Sequence, residues 1–498
     1  MNVIQALRKA GFEAFVVGGC VRDLLLEHAP KDWDITTNAT PDQVLKIFPE
    51  SFYENTFGTV GVKVPRFLET MPDYEYDIVE VTTYRTEGQY KDKRRPSEVN
   101  FTLSLKEDLA RRDFTINAIA YGPTADEKWE VIDPYDGAKD LQKKIIRTVG
   151  EPEERFNEDA LRLMRAVRLF AKLRDRTPPT VTSETKKTKL AHQWRIEENT
   201  EVAISKLSEH LKAVSPERIR DELSKIILSD SPSEGIAMLE KTGLLRFVLP
   251  ELREGIGVTQ NLHHIYTVWE HNLRALATCP SPKLETRLAA LLHDVGKPRA
   301  KRGEGYYSTF YSHDHIGARL TEQMLTRLRF PKEIIRKSAL LVDNHLFYYN
   351  VGEVTEASVR RLIKRVGLEN MQDLMAVRIG DRLGSGVPKA KPYKLRHLEY
   401  MIEKVSHDPI SAKMLAVNGH DLMNELRIPA GPKIGAIVEV LLAEVIENPE
   451  LNTKEILLKR AQILQESDLQ TLRELAREKI QEKKVAENDK IKKRHWVE

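Results

Sequence analysis

The sequence predicts an α+β fold, with a head of mixed strands and helices over residues 1–150 and an all-helical remainder. Three observations carry this. Short strand-like apolar runs bounded by turn residues are confined to the first 150 positions. From about residue 151 onward, apolar residues recur at helical spacing with only short interruptions. Near the start, "AFVVGGCVRDLLLEHAPKDWDIT" runs from an apolar strand through two glycines into a helix, then out to an acidic strand.

The elements follow in order. "MNVIQALRKAGFEAFVVGG" passes from an amphipathic helix into a strand expected at 13–17, with no signal-peptide layout. Gly18 and Gly19 then make a turn. Backbone amides at such a turn, beside a helix N-terminus, suit phosphate oxygens, and Arg22 stands one turn into that helix. The next strand, expected at 32–36, carries Asp32 and Asp34. Residues i and i+2 of a strand share a face, so the two carboxylates would sit about 6–7 Å apart. Asp is depleted in strands, and two such charges repel unless a hard cation such as Mg²⁺ lies between them. Further strands are expected at 59–64, 76–83 and 129–132. Glu80, on the face of its strand shared with Ile78 and Thr82, is a further candidate carboxylate.

The segment "TEGQYKDKRRPSEVNF" is polar and basic, with Arg94 and Arg95. "DLARRDFTINAIAY" then gathers Arg111, Arg112, Asp113 and Asn117 where a helix begins or turns. Arginines pair bidentately with phosphates. A carboxylate and an amide together suit a ribose. In "ERFNEDALRLMRAVRLFAKL", Leu161, Met164, Val167 and Phe170 form an apolar stripe. Asp159 and Arg162, three apart, share another face, the spacing of a surface salt bridge. "RDRTPPTVTSETKKTKLAHQW" (174–194) reads as a surface loop or insert. The terminal "EKKVAENDKIKKRHWVE" reads as a charged helix or tail.

Composition narrows the class. A chain of 498 residues suggests three or four domains. With a formal net charge of only +3, any nucleic-acid surface must be local. Two cysteines, Cys20 and Cys279, exclude a disulfide framework and fit a reducing cytoplasm. No apolar run approaches the ~18 residues of a membrane span.

Taken in order, the motifs resemble those of the bacterial-type (class II) tRNA nucleotidyltransferases, the CCA-adding enzymes. They are Gly-Gly-x-x-Arg-Asp, Asp32-x-Asp34, "RTEGQYKDKRRP", "RRDFTINAIA" and "EDALRLMRAVR". The likeness continues through "IEENTEVAI" and "VSPERIRDELSKIIL". It reaches "LAVNGHDLMNELRIPAGPKIGAIVEVLLAEVIENPELNTKEILLKRA", which is similar to that family's tRNA-binding tail, and departs at the 174–194 insert. The resemblance implies a polymerase-beta-like nucleotidyltransferase head (1–150) and an elongated all-α remainder. The latter would comprise a neck binding RNA and the nucleotide base (151–255), an HD-type body (256–400) and a tRNA-binding tail (401–498). It implies template-independent addition of C, C and A to a tRNA 3′ end, with tRNA, CTP and ATP as partners and no membrane. Asp32 and Asp34 would be catalytic and hold Mg²⁺. Gly18, Gly19, Arg22, Arg111, Arg112, Asp113, Asn117, Asp159, Arg162 and Arg165 would bind nucleotide. By the same implication, Asp159 and Arg162 would read the base, and the loop around Arg94 would move for the final A. Within the tail, Gly431 and Gly435 open an amphipathic helix whose first amides suit RNA phosphates. Bacterial poly(A) polymerase and partial enzymes adding only CC or only A stay open as alternatives. A non-catalytic RNA-binding protein is opposed by the retention of both aspartates.

A second set of ligand-type residues lies further on: His271, His293, Asp294, His315, His345 and Asp381. They resemble an HD phosphohydrolase domain with the additional histidines of its binuclear members. Imidazole and carboxylate ligands suit divalent transition metals, and a paired site activates water against a phosphoester. His313 competes with His315 for the ligand position.

Overall fold

The computed structural model describes the chain except residues 1, 31, 56–57, 66–75, 88–98, 125, 175–192, 262–264, 348, 350, 387–392, 407–414 and 498. It forms two compact units. One comprises Met1–Asp343 with Ala376–Val387, the other Asn344–Met375 with Pro388–Glu498. The loop expected around Arg94 and most of the 174–194 insert lie outside the described residues.

The first unit opens with a seven-stranded sheet. Its strands are β1 (Ala14–Val17), β2 (Asp34–Thr37), β3 (Ser51–Asn55), β4 (Thr59–Pro65), β5 (Tyr76–Thr83), β8 (Ala120–Pro123) and β9 (Trp129–Ile132). A separate hairpin pairs β6 (Arg85–Glu87) with β7 (Val99–Phe101). The spatial order is β3-β4-β5-β2-β1-β8-β9, and β2–β5 is the parallel pair. β1 is central and buried along its length, as "AFVV" requires. Phe15, Val17, Tyr84, Leu109 and Ala120 form a core beneath it.

Two features of the head correct the sequence reading. The strand expected at 32–36 starts at Asp34, and Asp32 lies on the bend before it. The two aspartates therefore do not alternate along one strand. β3 and β8 were not expected. "AYGP" carries two strand-breaking residue types, and only its pairing between β1 and β9 makes it a strand. The register within β2–β5 sets Asp34 directly beside Glu80. Neighbouring strands are about 4.8 Å apart, so the two side chains start from adjacent positions.

Beyond the sheet, the unit is helical as expected. Helix Leu161–Leu173 buries Leu161, Met164, Val167 and Phe170 together, against helices Pro216–Ile227 and Pro232–Lys241. Gly235 permits the closest approach. A Cβ there would stand 2.6 Å from Ile226 Cγ2 and 2.9 Å from Ala171 Cβ. After the insert, Arg195–Ile196 rejoins the fold as a parallel partner of Ile145–Ile146.

Among the described residues, the second unit is built from helices. Val359, Met375, Leu398, Tyr400, Met401 and Val497 form one core, the last contributed from beyond the terminal helix Leu469–His495. A second core gathers helices Gly419–Leu426, Pro432–Glu447 and Lys454–Leu464. Gly431 caps Pro432–Glu447, and Gly435 lies in its first turn. Among the described residues, no helix is long and apolar enough to cross a membrane.

Candidate functional site

The turn after β1 is shaped by Gly18, at φ 84° and ψ −136°. This backbone region is nearly exclusive to glycine. A Cβ at Gly18 would lie 3.1 Å from Arg112 Nη1 and 3.5 Å from Asp34 Oδ2. The missing side chain thus leaves a small space shared by a guanidinium and a carboxylate. Asp32 is exposed at the same edge of the sheet, with Glu80 beside Asp34. Two or three carboxylates there offer the hard oxygen donors that suit Mg²⁺ together with substrate phosphates.

Behind the turn, most of the expected nucleotide-binding residues form a buried polar chain. Arg22 is buried; its Nε and Nη2 donate to Asp23 Oδ1 at 2.8 and 2.6 Å, and its Nη1 to Asn117 Oδ1 at 2.8 Å. Arg22 therefore braces the turn from inside, and does not present its guanidinium at the surface as expected. Asn117 Nδ2 donates to Asp113 Oδ1 at 3.3 Å. Arg165 Nε donates to Asp113 Oδ2 at 2.7 Å, from helix Leu161–Leu173. Burial would raise the Asp113 carboxyl, but Arg165 and Arg162 hold it at about 2.

Arg111 and Arg112 share one buried partner that the sequence reading did not single out, Asp108. Arg111 Nε and Nη2 reach its Oδ1 at 2.9 and 2.7 Å, and Arg112 Nη2 its Oδ2 at 3.4 Å. Burial pushes the Asp108 carboxyl up, but the two arginines bring it below the ordinary value. The signal was present in "EDLARRD": Asp108 stands three and four residues before the two arginines.

Asp159 and Arg162 do not share a helix face. Asp159 is extended, at φ −138° and ψ 107°, between helices Pro152–Glu158 and Leu161–Leu173. Each has its own support. Arg218 donates to both oxygens of Asp159, at 3.1 and 2.7 Å. Arg162 pairs with Glu158 and donates to the carbonyls of Arg155 at 3.0 Å and Arg111 at 3.3 Å. The surface salt bridge that the spacing suggested gives way to two separately held groups.

The second constellation converges in part. A capping box between Thr267 and Glu270 starts helix Val268–Thr278 and sets His271, fully buried, in its first turn. His271 Nε2 lies 3.0 Å from His293 Nε2, 3.3 Å from Asp294 Oδ2 and 3.2 Å from Asp381 Oδ1. His293 Nε2 lies 3.4 Å from Asp294 Oδ2 and 3.7 Å from Asp381 Oδ1. His271 Nε2, His293 Nε2 and Asp381 Oδ1 thus stand together as three candidate ligands of one divalent transition metal, and Asp294 adjoins them. An Nδ1–H of His293 donating to the Ala290 carbonyl at 2.8 Å leaves Nε2 as the ligand atom. Lys297 Nζ lies 2.6 Å from Asp294 Oδ2. Burial raises the Asp294 carboxyl, and His293 and Lys297 bring it well below the ordinary range.

His315 is not part of this cluster. Its side chain is 62% exposed and bonds Asp343 at 2.6 Å. His313, two residues earlier at the start of the same helix, places Nε2 3.2 Å from Asp294 Oδ1. Helical residues two apart point to different sides, so only one of the pair can face inward. His345 is buried near the start of the second unit.

Three family profiles match the chain. They are "Poly A polymerase head domain" over residues 14–147, "Probable RNA and SrmB- binding site of polymerase A" over 194–256, and "tRNA nucleotidyltransferase domain 2" over 319–461. The CCA-adding enzyme of Enterococcus faecalis is 31% identical over 92% of this chain and 93% of that relative. The chain belongs to the CCA-adding enzymes. A second CCA-adding enzyme, from Geobacillus thermodenitrificans, is 32% identical over 91% of this chain and 94% of its own. The crystal structure of the Bacillus stearothermophilus CCA-adding enzyme in complex with CTP is similar over 93% of this chain and 97% of that one. Its identity is 28% and its TM-score 0.56. The expected α+β head with a helical remainder is the architecture of this CCA-adding enzyme, and the chain is a tRNA nucleotidyltransferase.

Proposed function

We propose that the chain adds C, C and A to the 3′ end of tRNA from CTP and ATP, at a site between the Gly18 turn and the Asp159–Arg162 junction. The space beside Gly18, bounded by Arg112 Nη1 and Asp34 Oδ2, carries this reading. It offers a triphosphate one cationic wall, turn amides and one carboxylate wall. Asp32 and Asp34 are the metal-holding catalytic pair, with Glu80 as a neighbour. Mg²⁺, when bound there, supplies charge neutralisation of the triphosphate and activation of the 3′ hydroxyl. Arg112 contacts phosphate directly, with Arg111 beside it, while Arg22, Asp113, Asn117 and Arg165 hold the surrounding surfaces in place. Asp159 accepts from the exocyclic amine of cytosine or adenine, and Arg162 donates to the neighbouring ring nitrogen. Uracil and guanine present the reverse pattern on that edge. The helices from 151 to 255 act as the neck and those beyond 401 as the tRNA-binding tail, with Gly431 and Gly435 at a phosphate contact. Both cysteines are free thiols, which fits a reducing cytoplasm as the compartment.

The direct test supplies tRNA ending at the discriminator base with CTP and ATP, then sequences the product ends. Products ending in CCA are expected. A poly(A) tract, or addition stopping at CC or requiring CC, would replace this reading with poly(A) polymerase or a partial enzyme.

A second activity is favoured by the cluster around His271. His271, His293 and Asp381 could hold a divalent transition metal, with Asp294 and His313 adjoining. Such a metal, when bound, supplies an activated water for phosphoester hydrolysis. Metal analysis of the purified protein tests it. Absence of metal, with no hydrolysis after Ni²⁺, Mn²⁺ or Co²⁺ is supplied, would leave a packed scaffold.

A further inference from the structure

A carboxylate reads one edge of a base only if its plane is fixed. Asp159 sits on an extended link between two helices, where its own backbone does little to orient it. Its orientation comes from elsewhere. Arg218, in the first turn of helix Pro216–Ile227, donates Nη1 to Oδ1 at 3.1 Å and Nη2 to Oδ2 at 2.7 Å. The Leu161 N–H adds a third bond, to Oδ1 at 3.1 Å. A carboxylate has about four acceptor positions. These three donors leave one on Oδ2, in the plane that the guanidinium fork sets.

We propose that Arg218 is a positioning residue for nucleotide selection, aligning the Asp159 carboxylate so that its remaining acceptor position meets the exocyclic amine of cytosine or adenine. The inference rests on the reading of Asp159 as the base acceptor. Arg218 acts through Asp159 and does not itself touch the base. Its planar fork sets direction, which a lysine ammonium cannot do. The same helix is tied to Leu161–Leu173 itself by a separate contact, Arg168 Nε to Glu222 Oε2 at 3.0 Å. This tie braces the two helices without touching Asp159, and so provides a matched control.

The experiment measures kcat and KM for CTP and for UTP on tRNA lacking its CCA end. Arg218→Ala, Arg218→Lys, Glu222→Gln, Asp159→Ala and the Asp159→Ala/Arg218→Ala double variant are compared with the parent. Arg218→Ala should lower the CTP-over-UTP preference by about 10–100-fold, the scale of a misplacement of about 1 Å in a reacting complex. Arg218→Lys should fall between it and the parent. Glu222→Gln should keep the parental preference. The double variant should discriminate no worse than Asp159→Ala alone, because Arg218 works only through that carboxylate. If both Arg218 variants lose rate or thermal stability but keep the parental preference, Arg218 is a structural brace and the inference fails. The same follows if Glu222→Gln shifts preference as far as Arg218→Ala. If Asp159→Ala itself keeps the preference, the base-acceptor reading fails first, and the inference with it.

Discussion

Gly18→Ala separates two explanations of a glycine turn, backbone strain and occupancy of a phosphate space. At φ 84° and ψ −136° an alanine is strained whatever surrounds it, at a cost of about 1–3 kcal/mol. The new methyl would also stand 3.1 Å from Arg112 Nη1, tighter than ordinary contact, and 3.5 Å from Asp34 Oδ2. The guanidinium must give way by a few tenths of an ångström, and the methyl fills the space proposed for a phosphate oxygen. Gly11 is the control. Its φ is +89°, so alanine there also adopts a left-handed backbone and costs about 1–2 kcal/mol, but nothing lies within 4 Å of the added Cβ. Thermal unfolding should show both variants destabilised. Steady-state CTP incorporation should separate them: kcat/KM falling by about 100-fold or more in Gly18→Ala, and staying near the parent value in Gly11→Ala. Equal activity in the two variants, whether both retained or both lost, would refute the assignment of this space to the triphosphate.

Three further outcomes are expected. Asp34→Ala should abolish nucleotide addition while tRNA still shifts in a gel, because RNA is held chiefly by phosphate contacts elsewhere; near-normal incorporation with Mg²⁺ would overturn the site. Arg165→Met should destabilise the fold by about 1–2 kcal/mol at neutral pH. The Asp113 carboxyl held at about 2, against an ordinary 3.8, is worth somewhat more, but Arg165 is 37% exposed and its pairing partly screened. The Asp113 value is depressed in the folded state, so its stabilisation is fully present above about pH 4 and lost as pH falls through about 2. Urea unfolding of parent and variant should therefore converge toward acid pH, and a gap that persists there would show the effect is packing. For the histidine cluster, His293→Ala should lose bound transition metal by elemental analysis while Asp34→Ala keeps it; loss in both would mean that the metal resides in the head.

Where local pattern decides an element, it was legible. β1, β4, β5 and β9 follow from apolar or alternating runs, and the stripe Leu161, Met164, Val167 and Phe170 is the buried face of one helix. Where tertiary pairing decides, it was not. β8 is a strand because β1 and β9 hold it, and no propensity in "AYGP" says so. The placement of Asp32 before β2 shows the same limit, since the register is set by β1 and β5, not by the D-x-D spacing. His313 and His315 are chemically equivalent in sequence, and the phase of one helix separates them. Asp108 could have been found from its spacing to Arg111 and Arg112. Arg218 could not, because its partner lies 59 positions away.

Selection of a nucleotide without a template requires that the triphosphate and the base be fixed relative to each other. The buried polar chain supplies that rigidity. From the glycine turn, Arg22 ties Asp23 to Asn117, Asn117 ties to Asp113, and Asp113 is gripped by Arg165. Arg165 lies one turn beyond Arg162 on helix Leu161–Leu173, and Lys172 on that helix returns to Asp23 at 3.6 Å. Arg162 itself reaches the carbonyl of Arg111, whose neighbour Arg112 borders the Gly18 space. The helix that carries Arg162 is thus clamped to the Gly18 turn at both ends and in the middle. If Asp159 and Arg162 read the base as proposed, a base whose edge cannot satisfy them must shift, and within this frame its phosphates shift with it. Discrimination then appears in the rate of transfer as well as in binding, because the frame converts a wrong hydrogen-bonding edge into a displaced reacting phosphate.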